Sequence, residues 1–204
     1  MKKVCDNWKQ AFPTENIGDY LFPEFEKRAS AASTEIFHVK TAIEAQEIIT
    51  NLIKFTNAKK VVTVNSPLQE ASGVNEHLKT MDIAVYTDPA DIAEHAESAD
   101  IGISSVEFGI AETGSVCMDG YSFESRLVSM LPPLHIVFMN SSNIVLGVSE
   151  AFDVISKVYD TGYVSFITGP SRTADIERVL TIGVHGPKRF ILIAIDEEVA
   201  GGAN

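Results

Sequence analysis

TEIFHVKTAIEAQEIITNLIKFTNAKKVVTVN, Thr34–Asn65, is a strand, a capped helix and a second strand in direct succession. Glu35–Val39 has the β-branched and aromatic content of a strand, and Lys60–Asn65 (KVVTVN) is a short apolar run of strand length. Between them Ile43, Ile48, Ile49, Leu52 and Ile53 recur at helical spacing. Thr41 can cap that helix, and Glu44, three residues on, completes a capping box. Strands separated by helices in this way run parallel within a sheet, because the helix serves as the crossover that returns the chain in the same direction.

The alternation continues along the chain. Leu68–Lys79 predicts a helix, Ile83–Tyr86 a strand, Pro89–Glu97 a helix and Ala99–Ser105 (ADIGISS) a strand. Ser115–Met118 and His135–Asn140 (HIVFMN) read as strands, and Ser149–Tyr159 as a helix opened by Ser149. Tyr163–Thr168 is a strand, Ser171–Val179 a helix and Arg189–Ile195 (RFILIAI) the last strand. Short, continuously apolar strands between helices predict an α/β fold, with a mostly parallel sheet covered by helices on both faces. Residues 1–33 break the pattern: Trp8, Phe12, Tyr20, Leu21, Phe22 and Phe25 are scattered among polar residues and two prolines. They predict an N-terminal helical arm ahead of an α/β domain over 34–204, packed on its own core or on a partner.

Composition excludes several classes. The 204 residues carry a formal net charge of −12, so a phosphate-neutralising nucleic-acid surface is not expected. The longest apolar run is about half a membrane-spanning helix or less, and the N-terminus, with Lys2, Lys3, Asp6 and Lys9, lacks the apolar core of a signal peptide. A cytoplasmic protein away from membranes is expected. Cys5 and Cys117 are the two cysteines, and no CxxC pair exists to ligate an iron–sulfur cluster. No GxGxxG or Walker loop, no hydrolase elbow and no metal-ligand spacing occurs, so no metal or cofactor is expected.

Four segments carry chemistry. In DIGISSVEFGIAETGSV, Asp100–Val116, a strand ends near Ser104–Ser105, with Glu107 just beyond it, where parallel sheets place ligands. Glu112 is a candidate base beside Thr113, Gly114 and Ser115, whose turn could present N–H groups to an anion; alternatively Glu112 caps locally and Gly114 only permits the turn. In TGPSRTADIE, Thr168–Glu177, Gly169 breaks the strand and Ser171 can cap the expected helix. That puts Arg172 and Thr173 in a first turn, where the dipole and free N–H groups suit a carboxylate or phosphate. Asp175 could instead neutralise Arg172, leaving plain capping. In GVHGP, Gly183–Pro187, His185 is an acid–base candidate, or a turn residue bonded to a carbonyl. Arg126, ahead of LPPLH (Leu131–His135), could orient a ligand or form a surface salt bridge. Glu112, Arg172 and His185 are expected to converge on one cleft at the carboxyl edge of the sheet.

AETGS at 111–115, GPSRTADIE at 169–177 and GVHGP at 183–187, with LPPLHIV between the first two, resemble the signature of the LUD-domain proteins. These form the lactate-utilization protein C (LutC/YkgG) family, and the match runs from about Ala99 to Ile195. The resemblance implies a fold similar to the ribose-phosphate isomerase, glucosamine-phosphate deaminase and CoA-transferase group (NagB/RpiA/CoA-transferase-like). It also implies a role in L-lactate oxidation to pyruvate beside iron–sulfur partner proteins.

Three readings stay open. The chain could be a subunit that binds a small carboxylate or other anion while a partner moves the electrons. It could be a stand-alone isomerase or acyl/CoA transferase, or a non-catalytic assembly module. In every case, anaerobically purified chain should show no iron and no visible absorbance band; stoichiometric iron would overturn the cysteine argument.

Overall fold

The computed structural model describes residues 14–160, 162–176 and 179–199, with the side chains of 14 and 174–180 left aside. In chain order, helix α1 (Phe22–Ala31) leads to β1 (Thr34–Val39), α2 (Ala42–Thr56), β2 (Lys60–Thr63), α3 (Pro67–Ser72) and α4 (Val74–Thr80). Then come β3 (Ala84–Tyr86), α5 (Pro89–His95), β4 (Ile101–Ser105), β5 (Phe108–Ile110), β6 (Ser115–Asp119) and α6 (Phe123–Met130). β7 (Leu134–Asn140), β8 (Ile144–Val145), α7 (Val148–Val158), β9 (Val164–Ile167), β10 (Arg172–Ile176), β11 (Val179–Ile182) and β12 (Arg189–Ile195) complete it.

Six strands form the expected parallel sheet, in the order β1-β12-β7-β4-β2-β3. Alternate residues of each strand serve opposite cores. In β12, Ile191, Ile193 and Ile195 join Ile49, Leu52 and Ile53 of α2 and Val74 and Leu78 of α4 on one face. Phe190, Leu192 and Ala194 meet Phe22, Phe25 and Ala29 of α1 on the other. Further along that second face, α5 and α6 supply Ile92 and Val128 against Val62. Helices therefore flank both faces. The described part of the N-terminal segment packs on the domain's own core; Trp8 and Phe12 lie outside the described residues.

The sequence did not reveal a second sheet, in the order β8-β5-β6-β9, inserted between α1 and α7. Its β5–β6 and β6–β9 pairs are antiparallel, so the strands expected at 115–118 and 163–168 exist but stand outside the main sheet. Val106, Val116, Met118 and Ile144 turn toward the main sheet, while Phe108, Ile110 and Cys117 turn toward Val154 and Val158 of α7.

Several expectations are corrected. The single helix over 68–79 is two, because Gly73 takes a left-handed φ of 64° and ends α3. Helix α6 is an addition: Ser122 caps it, but only Val128 and Ser129 are buried, so its sequence shows no apolar stripe. The capping box at α2 is half formed: Thr41 accepts from Glu44 N–H, but the Glu44 carboxylate accepts from Lys40 N–H. The helix expected at Ser171–Val179 is a β-ribbon, with β10 antiparallel to β11. Its β-branched residues (Thr173, Ile176, Val179, Thr181, Ile182) favour the extended form. Its base is tied to the next motif, since Ser171 N–H donates to Pro187 O at 2.9 Å and Gly183 N–H to Ser171 O at 2.8 Å.

His135 of β7 is fully enclosed, with its Nε2 2.8 Å from the Ser104 hydroxyl, which lies 3.9 Å from Met118 Sδ. Burial pushes this imidazole down to about 3 from an ordinary 6.5. The folded chain thus refuses a proton that the unfolded chain accepts. The resulting stability is complete above pH 6.5 and is lost as pH falls toward 3, by up to about 1.4 kcal/mol per pH unit. Urea unfolding at stepped pH should show a shallower acid decline for His135→Asn than for the parent; parallel declines would refute this.

Candidate functional site

The signature motifs meet at the amino edge of the main sheet, around the C-terminus of α1. Gly114, with φ 68°, lies so close to the helix that an added Cβ would stand 2.2 Å from Ala29 N. At Gly169 the same addition would meet Ala32 O at 2.1 Å. The Ser115 and Thr168 hydroxyls bond at 2.7 Å and join the two turns. Arg172 closes the arrangement: its Nη2 donates to Ala32 O at 2.7 Å and to Ser33 Oγ at 3.0 Å.

This geometry changes the chemistry expected of these residues. The N–H groups of Thr113 and Gly114 donate to Ile110 O, that of Ser115 to Thr113 Oγ1 and that of Glu112 to Leu146 O. The turn therefore offers no free N–H nest. Arg172 and Thr173 sit in a strand, with no helix dipole behind them. Instead Arg172 faces the C-terminus of α1, whose carbonyls carry negative partial charge that a cation offsets. Arg172 Nε and Nη1 make no hydrogen bond among the described residues.

Glu112, Arg172 and His185 do not share a cleft at the carboxyl edge. The Glu112 carboxylate accepts from Val148 N–H at 3.1 Å and so caps α7, which begins after Gly147 rather than at the expected Ser149 cap. Arg172 lies beside Ser33, immediately before β1, and His185 lies four residues before β12, so both stand at the amino edge. No hydrogen bond or ion pair among the described residues joins the three. Among the described residues Arg126 forms no ion pair: its Nη1 donates to Gly120 O at 2.6 Å and Tyr121 O at 3.0 Å, and its guanidinium lies 5.8 Å from the Tyr163 ring centroid.

His185 does line an open pocket of about 430 Å³ with Met130, Leu131, Pro133, Val184 and Lys188. The pocket joins the end of α6 to the GVHGP turn. Met130, Leu131 and Val184 are among the exposed large apolar residues, so one wall is apolar and wet, while Lys188 and His185 bring a cation and a titrating ring. Lys188 N–H donates to Pro133 O at 2.8 Å, which fixes the turn against LPPLH.

The carboxyl edge holds polar groups that the sequence reading passed over. His38 Nε2 lies 2.6 Å from Asp196 Oδ1, and the Ser141 hydroxyl donates to the same oxygen at 2.6 Å. These bonds, Ser141 first and His38 second, hold the Asp196 carboxyl below its ordinary range. Nearby, Tyr159 OH donates to Glu107 Oε2 at 2.6 Å; burial and the Glu107 charge push that phenol up. Burial, with Glu107 and Asp119 close by, pushes the Cys117 thiol up to about 12, so it is no ready nucleophile. His38, Ser141 and Asp196 lie 158 and 55 residues apart in pairs, and no local spacing could have joined them. Among the described residues there is no group of three or more potential metal ligands and no helix long and apolar enough to cross a membrane.

Fold and motif geometry together define a parallel α/β domain with an inserted small sheet and a motif-built amino edge. The chain belongs to the LUD domain family, which it matches over residues 22–195. Lactate utilization protein C of Halalkalibacterium halodurans is 29% identical over 190 residues, covering 90% of this chain and 82% of the relative. That of Anoxybacillus flavithermus is 31% identical, with 76% and 71% covered. The Escherichia coli protein YkgG is 30% identical, with 76% and 70% covered. Among solved structures, a DUF162 family protein from Deinococcus radiodurans superposes with a TM-score of 0.59 at 21% identity, covering 86% of this chain and 96% of its own.

Because Arg172 ties β10 to the end of α1, Arg172→Ala should lower unfolding stability by about 1 kcal/mol, the scale of an exposed charge-assisted hydrogen bond. Denaturant titration measures this; an unchanged midpoint would show that the contact contributes nothing.

Proposed function

We propose that the chain is a cytoplasmic subunit of a lactate-utilization system that binds lactate, pyruvate or a similar small carboxylate in the amino-edge pocket. Iron–sulfur partner proteins would carry the electrons. The relatives' name, lactate utilization protein C, supports the role. The observation that carries the site is the pairing of Lys188 and His185 with an apolar wall. A small carboxylate needs one positive group for its oxygens, and its short carbon chain gains from apolar contact. On a chain with a net charge of −12, that attraction must be local, as Lys188 is.

His185 would exchange a proton with the bound acid or its hydroxyl. Arg172 Nε and Nη1 are further donors, one residue from Ser171, whose backbone bonds to both Gly183 and Pro187. Glu112, engaged by the N-terminus of α7, takes no part in this pocket.

Calorimetric titration with L-lactate and pyruvate tests the site. Saturable binding of at least one is expected, weakened about tenfold by Lys188→Ala and by His185→Ala, or about 1.4 kcal/mol. Both variants should keep the parent's circular dichroism, because both side chains are exposed. Absence of binding by the parent, or parent-like affinity in both variants, would refute the site.

A further inference from the structure

Beyond the amino-edge pocket, the opposite edge of the main sheet brings three polar side chains together on one face. In register, Val39 of β1, Ile195 of β12 and Asn140 of β7 lie side by side, as do His38, Ala194 and Met139 one residue earlier. Alternation puts His38, Asp196 and Ser141 on the side of the sheet that faces α1. Ser141 is buried at 4% exposure, whereas the side chains of His38 and Asp196 are 41% and 49% exposed. Asp196 N–H donates to Val39 O at 3.0 Å, and Ser141 N–H to Ile195 O at 2.8 Å, so both backbones are anchored by the sheet. The Phe22 ring lies against the imidazole, centroids 4.2 Å apart and tilted by 34°.

A simple surface ion pair would leave two exposed side chains free to rotate. Here the carboxylate takes a buried hydroxyl as its second donor, and the ring has an aromatic wall, so the imidazole is held in one orientation. With a carboxylate as acceptor, Nε2 carries the proton, and Nδ1 makes no hydrogen bond among the described residues. A half-exposed ring with one nitrogen fixed and the other open is the arrangement of an oriented general base. Two neighbouring acids are already engaged: Glu44 accepts from Lys40 N–H at 2.8 Å, and Glu197 from Ala42 N–H at 2.9 Å. Lys40, two residues beyond His38 in the chain, is a cation near enough to act weakly on Asp196.

We propose that His38 is a catalytic acid–base group of a second site, with Asp196 and Ser141 as positioning residues, acting on small 2-oxo acids by proton transfer at the carbon beside the carbonyl. Lys40 faces the substrate's carboxylate. His38 Nδ1 takes the proton as the C–H bond breaks, and the electron pair moves onto the carbonyl oxygen to give the enolate. Asp196 stabilises the imidazolium, and return of a proton to carbon re-forms the C–H bond. Nothing is oxidised or reduced. The proposal is independent of carboxylate binding at Lys188 and His185, so either can fail alone.

Loss of the pyruvate methyl signal in deuterated buffer, followed by proton NMR, tests it on the full chain. The parent should accelerate exchange about tenfold or more over protein-free buffer. His38→Ala should lose the acceleration, and added imidazole should restore part of it beside Phe22. Asp196→Asn should slow exchange about tenfold without changing the pyruvate concentration that gives half the maximal rate. Circular dichroism melts separate misfolding from lost chemistry, and imidazole rescue is open only to a folded variant. Exchange by the parent at the buffer rate, or a folded His38→Ala protein as fast as the parent, overturns the proposal.

Discussion

The close approach of two glycine turns to the last turn of α1 is the constraint on which the rest of the molecule depends. At Gly114 and Gly169 the backbone comes within a methyl group of the helix, and Arg172 reaches the carbonyl that the helix leaves open. The contact joins three things that share no strand pairing: the main sheet through α1, the small sheet through the turn after β5, and the β10–β11 ribbon. Side chains at either glycine would push the small sheet off α1 and open the apolar layer of Phe25, Val116 and Leu192. The family signature is therefore first of all a packing device, and its one cation offsets a helix terminus.

The two edges of the sheet differ in kind. The amino edge is built from turns, with a wet apolar wall beside Lys188 and His185. The carboxyl edge is anchored by strand ends and collects acids whose carboxylates serve backbone N–H groups, as Glu197 and Glu44 do at the start of α2. Glu112 does the same for α7. At α2 and α7 a carboxylate from elsewhere in the chain thus occupies a helix N-terminus that would otherwise attract an anion.

The main sheet was legible because its strands are buried on both faces and read as unbroken apolar runs, RFILIAI and HIVFMN above all. The small sheet was not: FGI and IV are too short to show a period, and SVCMD reads the same whichever sheet it joins. In GPSRTADIE the Ser-Arg-Thr-Ala-Asp run carries a helix-start signal. The pairing that overrides it comes from Val179–Ile182 and from Pro187, beyond the local window. The candidate site was half legible. The motif residues stood out in the sequence, but the expected convergence of Glu112, Arg172 and His185 at the carboxyl edge rested on a helix at Ser171–Val179 that is a β-ribbon, and the ties at Ser171 and Ser115 are made to residues far away in the chain.

The strand order has a consequence for how the chain is made. β12 follows every other described strand in the chain, yet it lies between β1 and β7 and pairs with both, along six residues of the former and seven of the latter. Until the ribosome has released it, β1 has no partner in the sheet and β7 has only β4. From the completion of β7 until β12 emerges, the nascent protein must carry two open strand edges and an unfilled apolar slot. Closure then draws together residues separated by most of the polypeptide, a topology that favours late, cooperative and comparatively slow folding. A truncation that removes β12 would take out the keystone of the sheet rather than trim an end, and would leave an aggregation-prone intermediate in place of a shortened protein.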